Sequence, residues 1–369
     1  MSFCYNLFVT NILTAFTEIN NVLGEKRQKK MKLTFKKYGQ LQGRDLCEFV
    51  LENDHGMSVK LLNYGATLED VAIPVDGAKR HVILSLKQAE DYSKERNFLG
   101  GTVGRIAGRV WRGQWKNGDH ILQLPINDGE NHIHGGFGTD QQVWSFRPEQ
   151  GEDFVSVHFS LLDPDGHNGF PGNLQLAATY TLNNSGELLY DLTAYSDKLT
   201  IFNPTNHTYF CLDGLGTKID QTKLFLDADY YLPVKEDGLP VGGMEAVEGT
   251  AFDFRKGKSM EEALKSGDAQ IALRKGLDHP FILNGQKTAA RVVASDGKVS
   301  MKMSTNAPAI VIYTANSFGK GEKLVKDLPQ YGGLTLEAQN APAPGNDLRE
   351  ITLEPGKSWQ RQVSWKFEY

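Results

Sequence analysis

The sequence predicts an all-β protein, a sandwich or barrel built from many short strands. Three observations carry this expectation. Several segments alternate apolar and polar residues with a period of two, as Val155, Val157, Phe159 and Leu161 do. Clusters of Gly, Pro, Asn and Asp punctuate the chain between those segments. Helical candidates are confined to two short stretches, 86–93 and 259–265.

Taken in order, Met31-Lys-Leu-Thr-Phe35 reads as the opening strand. The residues before it differ in character: Phe3, Leu7, Phe8, Ile12, Leu13, Phe16, Ile19, Val22 and Leu23 precede the basic run Glu25-Lys-Arg-Gln-Lys-Lys30. A secretory signal places its positive charges before the apolar stretch, the reverse of this order. Polar residues such as Asn6, Asn11, Glu18 and Asn20 interrupt the stretch too often for a membrane span. Residues 1–30 are therefore expected to be an N-terminal extension outside the fold, with a surface-associating amphipathic helix as the alternative. Further on, Asp163-Pro-Asp-Gly-His-Asn-Gly169 is a dense turn, 174–182 a strand, Asn183-Asn-Ser-Gly186 a second turn and 188–195 the returning strand. The C-terminal stretch from Ile351 repeats strand, Pro-Gly turn, strand. No linker or fixed-period repeat divides 31–369, so this region is expected to be a single β domain.

Composition narrows the function classes. The 369 residues carry 40 Lys and Arg against 45 Asp and Glu, a formal charge of −5. No net positive field exists to attract a nucleic acid. With 19 Phe, 13 Tyr and 5 Trp, general disorder is excluded. The cysteines Cys4, Cys47 and Cys211 are odd in number and far apart, which suits reduced thiols in the cytoplasm and neither a disulfide framework nor a cysteine zinc site.

Common catalytic signatures are missing. Gly257-Lys-Ser259 ends like a phosphate loop, but Phe252 stands where that loop needs Gly. Asp163-x-Asp165 opens like a calcium loop, yet the twelfth position is Leu174, so a turn is expected. Five polar clusters remain. Gly104-Arg-Ile-Ala-Gly-Arg109 sets Arg105 and Arg109 among small residues, where each needs an anion, acceptors or a salt bridge. In Asn131-His-Ile-His-Gly-Gly136, His132 and His134 would share one strand face, a geometry open to a metal, a substrate or a structural role. His207 lies in Asn203-Pro-Thr-Asn-His-Thr-Tyr209, among hydrogen-bonding side chains. Asp278 precedes an apolar strand. In Gly332-Gly-Leu-Thr-Leu-Glu-Ala-Gln-Asn340, Leu334, Leu336 and Ala338 form one face, leaving Thr335 and Glu337 to point away from the core. His207 and Glu337 together would supply the acid and base that proton transfer requires.

Three of these blocks, around His134, His207 and Glu337, resemble the signature segments of the aldose 1-epimerases (galactose mutarotases). Asn63-Tyr-Gly-Ala-Thr-Leu68, Gly104 to Arg109 and Asp163 to Gly172 resemble further family segments in the same order, so the similarity runs from about Met31 to the C-terminus. The resemblance implies a large antiparallel β-sandwich with few short helices and an open cleft across one sheet. It implies Glu337 as general base and His207 as general acid, with Arg109, His134, Tyr209 and Asp278 around the sugar. Two departures bear on the choice of sugar: Gly108 stands where the family often has Asn, and Ala341-Pro-Ala-Pro-Gly-Asn-Asp347 replaces a loop that usually carries Trp or Tyr.

The chemistry so implied needs neither a metal nor a redox cofactor. An aldose loses the proton of its C1 hydroxyl and gains one on its ring oxygen; the ring opens, turns about C1–C2 and closes on the other face. The expected substrates are free aldohexoses such as galactose and glucose. Competing expectations are an epimerase of reducing disaccharides such as maltose, a non-catalytic carbohydrate-binding protein, and a glycoside hydrolase recruiting Asp278 with Glu337.

Overall fold

The computed structural model describes residues 31–321 and 323–369. The expectations for residues 1–30, an extension or an amphipathic helix, lie outside the described residues, as does Cys4. Nine antiparallel strands form the largest sheet, in the order Ser145–Gln150, Phe154–Asp163, Leu174–Asn183, Glu187–Ser196, Ser358–Glu368, Ser300–Thr305, Ala290–Val293, Lys223–Leu226 and Lys258–Ser259. The period-two pattern decides which face of this sheet is buried. Val155, Val157, Phe159 and Leu161 point inward beside Leu176, Ala178 and Tyr180 of the next strand, and Tyr180 pairs with Tyr190.

Two five-stranded sheets cover that inner face. One is a meander over Lys32–Leu41, Arg44–Glu52, Ser58–Leu62, Thr67–Val75 and Ala78–His81. Phe49 of its second strand meets Phe159 of the large sheet edge-on, with ring centres 5.6 Å apart. The other runs Glu245–Ala246, Ala228–Tyr231, Asp278–Leu283, Ala309–Tyr313 and Glu337–Gln339. Phe281, Ile310 and Ile312 from it join Val292, Met301 and Met303 in the same continuous core. The architecture is an antiparallel β-sandwich, not a closed barrel.

Short two-stranded ladders fill the ground between the sheets: Thr102–Val103 with Thr205–Asn206, Arg109–Val110 with His132–Ile133, and Tyr209–Phe210 with Leu334–Thr335. These ladders carry or flank Arg109, His134, His207 and Tyr209, while Asp278 and Glu337 belong to the second five-stranded sheet.

The helical expectations need adjustment. Within 86–93 only Ala89–Ser93 is helical, as a 3₁₀ turn. The 259–265 segment is an α-helix at Met260–Leu264, where Ser259 and Glu262 cap each other's free backbone N–H groups. A further helix, Ala269–Arg274, begins at the side-chain cap of Asp268 and was not anticipated, because six residues carry too little periodicity to read. The alternation expected around Glu337 is also corrected. Leu334, Thr335, Leu336, Glu337 and Ala338 are all buried, since the segment is covered on both faces.

We propose that residues 31–369 are the complete folding unit. Met31 is buried and its carbonyl accepts a hydrogen bond from Gln150, so the first described residue is already part of the packed fold. A chain starting at Met31 should unfold at the same temperature as the full chain by circular dichroism; a large drop would show that residues 1–30 pack on the core.

Candidate functional site

His207 lies between two ladders. Asn206 pairs with Thr102 and Tyr209 with Thr335, so the histidine is held at a junction rather than inside a strand. Its N–H donates to Gly101 (3.0 Å) and its carbonyl accepts from Gly100 (3.0 Å). The buried Asn206 side chain donates to the Gly100 carbonyl (2.9 Å) and the Tyr180 hydroxyl (2.8 Å), anchoring the segment in the large sheet. Glu337 opens the edge strand beside Ala309–Tyr313, opposite Val311.

These placements bring His207 Nε2 to 3.3 Å from Glu337 Oε1. The same oxygen accepts from Thr335 Oγ1 at 3.2 Å, and Gln339 Nε2 donates to the other at 3.5 Å. Asp278 faces Tyr313 across the same strand, two residues from Val311 and therefore on the same face as the register of Glu337.

His134 is positioned differently from the expectation. The strand His132–Ile133 ends before it, and His134, Gly135 and Gly136 adopt φ of 50°, 69° and 69°. Gly135 is required here, since a Cβ would lie 2.0 Å from the Gly104 carbonyl oxygen. The turn separates the two histidines. His132 Nδ1 donates to the Pro125 carbonyl (2.7 Å) and its ring packs on Phe170. The His134 ring stands edge-on to His207, with centroids 5.3 Å apart. His132 and His134 do not share a face, and among the described residues no cluster of three His, Cys, Asp or Glu is placed to hold a metal ion. The Gly108 N–H donates to His134 Nδ1 (3.1 Å), which leaves the neutral ring with its proton on Nε2.

Arg109 pairs in its ladder with Ile133, and its Nε donates to Asp128 at 2.7 Å. Its Nη1 lies 3.8 Å from Asp278, which Arg274 Nη2 holds at 2.6 Å. Acids and bases thus alternate along Asp128, Arg109, Asp278 and Arg274. Tyr209 stacks between His207 (5.1 Å) and Phe318 (5.0 Å) as a buried wall. All six expected residues therefore fall in one region of the fold.

Burial dominates the electrostatics. It pushes the Glu337 carboxyl up to about 8, reinforced by the negative charge of Asp278 and opposed by the Thr335 hydrogen bond and Arg109. It pushes the His207 imidazole down to about 4. His134 is driven well below its ordinary value, first by burial and then by the neighbouring His207 and Arg96. Two groups of opposite type, 3.3 Å apart with displaced affinities, can exchange a proton with a molecule bridging them.

With that geometry in place, the comparison with known proteins is decisive: the family model described as aldose 1-epimerase matches residues 48–366. The chain belongs to the aldose 1-epimerase family. The aldose 1-epimerase of Haemophilus influenzae is 35% identical over 301 residues, 80% of this chain and 87% of that one. The galactose mutarotase of Homo sapiens is 33% identical over 344 residues, 89% of this chain and 97% of the other. The crystal structure of galactose 1-epimerase from Lactobacillus acidophilus NCFM superposes with a TM-score of 0.86 at 57% identity, covering 92% of this chain and 99% of that one.

Several residues of this epimerase-family site escaped the sequence reading. Arg274 stands four residues before Asp278, and Asp128 three before Asn131; either spacing was available as a signal. Arg96, Phe98 and Asp140 had none, because their association with His134 is tertiary. The two arginines of the Gly104 block separate cleanly. Arg105 is fully buried away from the site; its Nε donates to Asp163 (2.6 Å), and its other nitrogens serve the carbonyls of Asp163, Pro164, Pro171 and Gly172. The expected calcium-like turn is thus an arginine cradle, in which Asp165 accepts from the Gly172 N–H (2.6 Å). Arg105→Met should destabilise the protein by about 3–5 kcal/mol in urea unfolding, because it strands the buried Asp163 carboxylate.

Proposed function

We propose that the protein interconverts the α and β anomers of free aldohexoses, galactose and glucose among them, with Glu337 as general base and His207 as general acid. The observation that carries this reading is the buried contact of 3.3 Å between Glu337 Oε1 and His207 Nε2. Relatives named galactose mutarotase and galactose 1-epimerase support the choice of sugar. Two free, buried thiols, Cys47 and Cys211, support a cytoplasmic setting, and no helix among the described residues is long and apolar enough to cross a membrane.

The sugar enters with its C1 hydroxyl toward Glu337 and its ring oxygen toward His207. Glu337 takes the hydroxyl proton as the C1–ring oxygen bond breaks, and His207 delivers its own proton to that oxygen. An open aldehyde remains, with a neutral acid at Glu337 and a neutral imidazole at His207. Rotation about C1–C2 presents the other carbonyl face, and both transfers run backwards. The pair holds one proton in the resting enzyme; the displaced affinities put it on Glu337, so it must pass to His207 as the sugar binds before the ring can open, and the same number returns after each turnover. His134, with its proton on Nε2, is a donor toward the ring side of the sugar, while Arg109 and Asp278 hold hydroxyls and Tyr209 walls the pocket.

Burial of the pair matters to the rate as well. In a dry site each transfer is between fixed partners, and general acid or base assistance of this kind is worth about 10²–10⁴ in rate.

Glu337→Gln should therefore cost on the order of 10²-fold or more in turnover, followed by polarimetry on freshly dissolved α-galactose and α-glucose. Retention of a tenth of the activity would remove Glu337 from the role of base.

The pH profile follows from the proton count of the pair. Below about 4 His207 and Glu337 both carry protons and no base remains. Above about 8 both have lost them and no acid remains. Turnover should be flat between these limits and fall on either side, with the two apparent values belonging to the pair jointly. Arg109→Met should lower kcat/KM by roughly ten- to a hundredfold, the usual worth of a charged donor to a neutral acceptor.

A further inference from the structure

A second assembly lies behind the two histidines and takes no part in the steps above. Arg96 forms a two-point pair with Asp140, at 2.8 Å from Nε and 2.7 Å from Nη2. The same guanidinium donates from Nη2 to the carbonyl of His134 at 2.5 Å and from Nη1 to the carbonyl of Gly136. These are the carbonyls of the left-handed turn that carries His134 out of its strand. The flat face of Arg96 lies 4.5 Å from the centre of the Phe98 ring. Phe98 in turn touches both imidazoles, with centroids 4.9 Å from His134 and 5.8 Å from His207. Phe98 itself sits at a φ of 63°, a conformation that a bulky residue adopts only when its surroundings impose it.

We propose that Arg96 and Phe98 are a positioning pair that fixes the orientation of both imidazoles, Arg96 by clamping the turn under His134 and Phe98 by filling the space behind the two rings. This inference rests on the acid–base reading of His207. The physical argument is one of degrees of freedom. Among the described residues the His134 ring has a single hydrogen bond, from the Gly108 N–H, and the His207 ring has only its 3.3 Å contact with Glu337. Neither contact alone stops rotation about the side-chain torsions, and His207 Nδ1 has no partner among the described residues to add a second point. Packing against Phe98 supplies that missing constraint, and the Arg96 guanidinium packs on the Phe98 ring in turn. The Arg96 charge also disfavours protonation of both rings, adding to the larger effect of burial.

The test uses the full chain with Arg96→Met, Arg96→Lys and Phe98→Leu, read by polarimetry and by long-range ¹H–¹⁵N spectra of the histidine rings. Each variant should lower kcat by about tenfold or more while KM moves far less, because neither side chain is placed among the sugar-holding groups. The wild-type spectrum should show His134 neutral with its proton on Nε2, and each variant should replace that signature with a mixture of tautomers. Arg96→Lys keeps the charge but loses the fork, so it should fold even where Arg96→Met does not. Wild-type kcat and an unchanged His134 signature in folded Arg96→Lys and Phe98→Leu would overturn the proposal and leave a plain structural salt bridge. The ring spectrum needs no turnover, so it judges this inference even if Glu337→Gln were to retain activity and the acid–base reading fell.

Discussion

The structure depends on keeping Glu337 and His207 in contact and out of water. A carboxyl and an imidazole each lose several kcal/mol of hydration when buried, and the loss is tolerable only if one proton serves both. The surroundings are arranged accordingly. Thr335 and Gln339 direct donors at the carboxyl, and Arg109 offsets the charge of Asp278 nearby. The His207 main chain is locked by Gly100 and Gly101. Asn206 carries that lock into the core through Tyr180, whose hydroxyl donates to the Ala66 carbonyl at 2.9 Å. Thr102 bonds the same carbonyl and the Tyr190 hydroxyl. Ring positions at the site are thus referred back to two strands of the nine-stranded sheet.

The arginines show how the same side chain serves opposite ends. Arg105 is wholly enclosed and spends every nitrogen on protein acceptors, so it holds loops together. Arg109 is only partly enclosed and sits in an open chain of alternating charges with Asp128, Asp278 and Arg274. Such a chain is held without a buried unpaired charge, yet its exposed edges can still bind the hydroxyls of a polar ligand. Arg96 is intermediate. Its fork is saturated, but what it saturates is the backbone beneath His134.

Departures from the family pattern acquire a physical meaning in this setting. Gly108 brings no side chain toward the sugar, but its N–H fixes the His134 ring and its carbonyl accepts from the His134 N–H. Pro344 of the Ala341 to Asp347 loop lies beside Gly242, four residues after Gly238, which itself lies against the guanidinium groups of Arg109 and Arg274.

By itself the sequence determined the all-β class, the strands at Phe154–Asp163, Leu174–Asn183 and Glu187–Ser196, and the blocks that hold His134, His207 and Glu337. Those features are local: a period of two, a turn cluster or a motif is written within ten residues of chain. It misjudged whatever depends on what lies across a gap. The pattern at Glu337 read as one exposed face because its second cover comes from distant segments. His132 and His134 read as neighbours on a strand because nothing local announced the left-handed turn between them. Only the tertiary structure decided which acceptors hold Arg105, that Arg274 and Asp128 belong with Arg109, and that Arg96 reaches the His134 carbonyl. A salt bridge between residues far apart in the chain forms only because the fold closes the loop between them, so Arg96–Asp140, 44 residues apart, and Arg109–Asp128, 19 apart, leave no local pattern in the sequence.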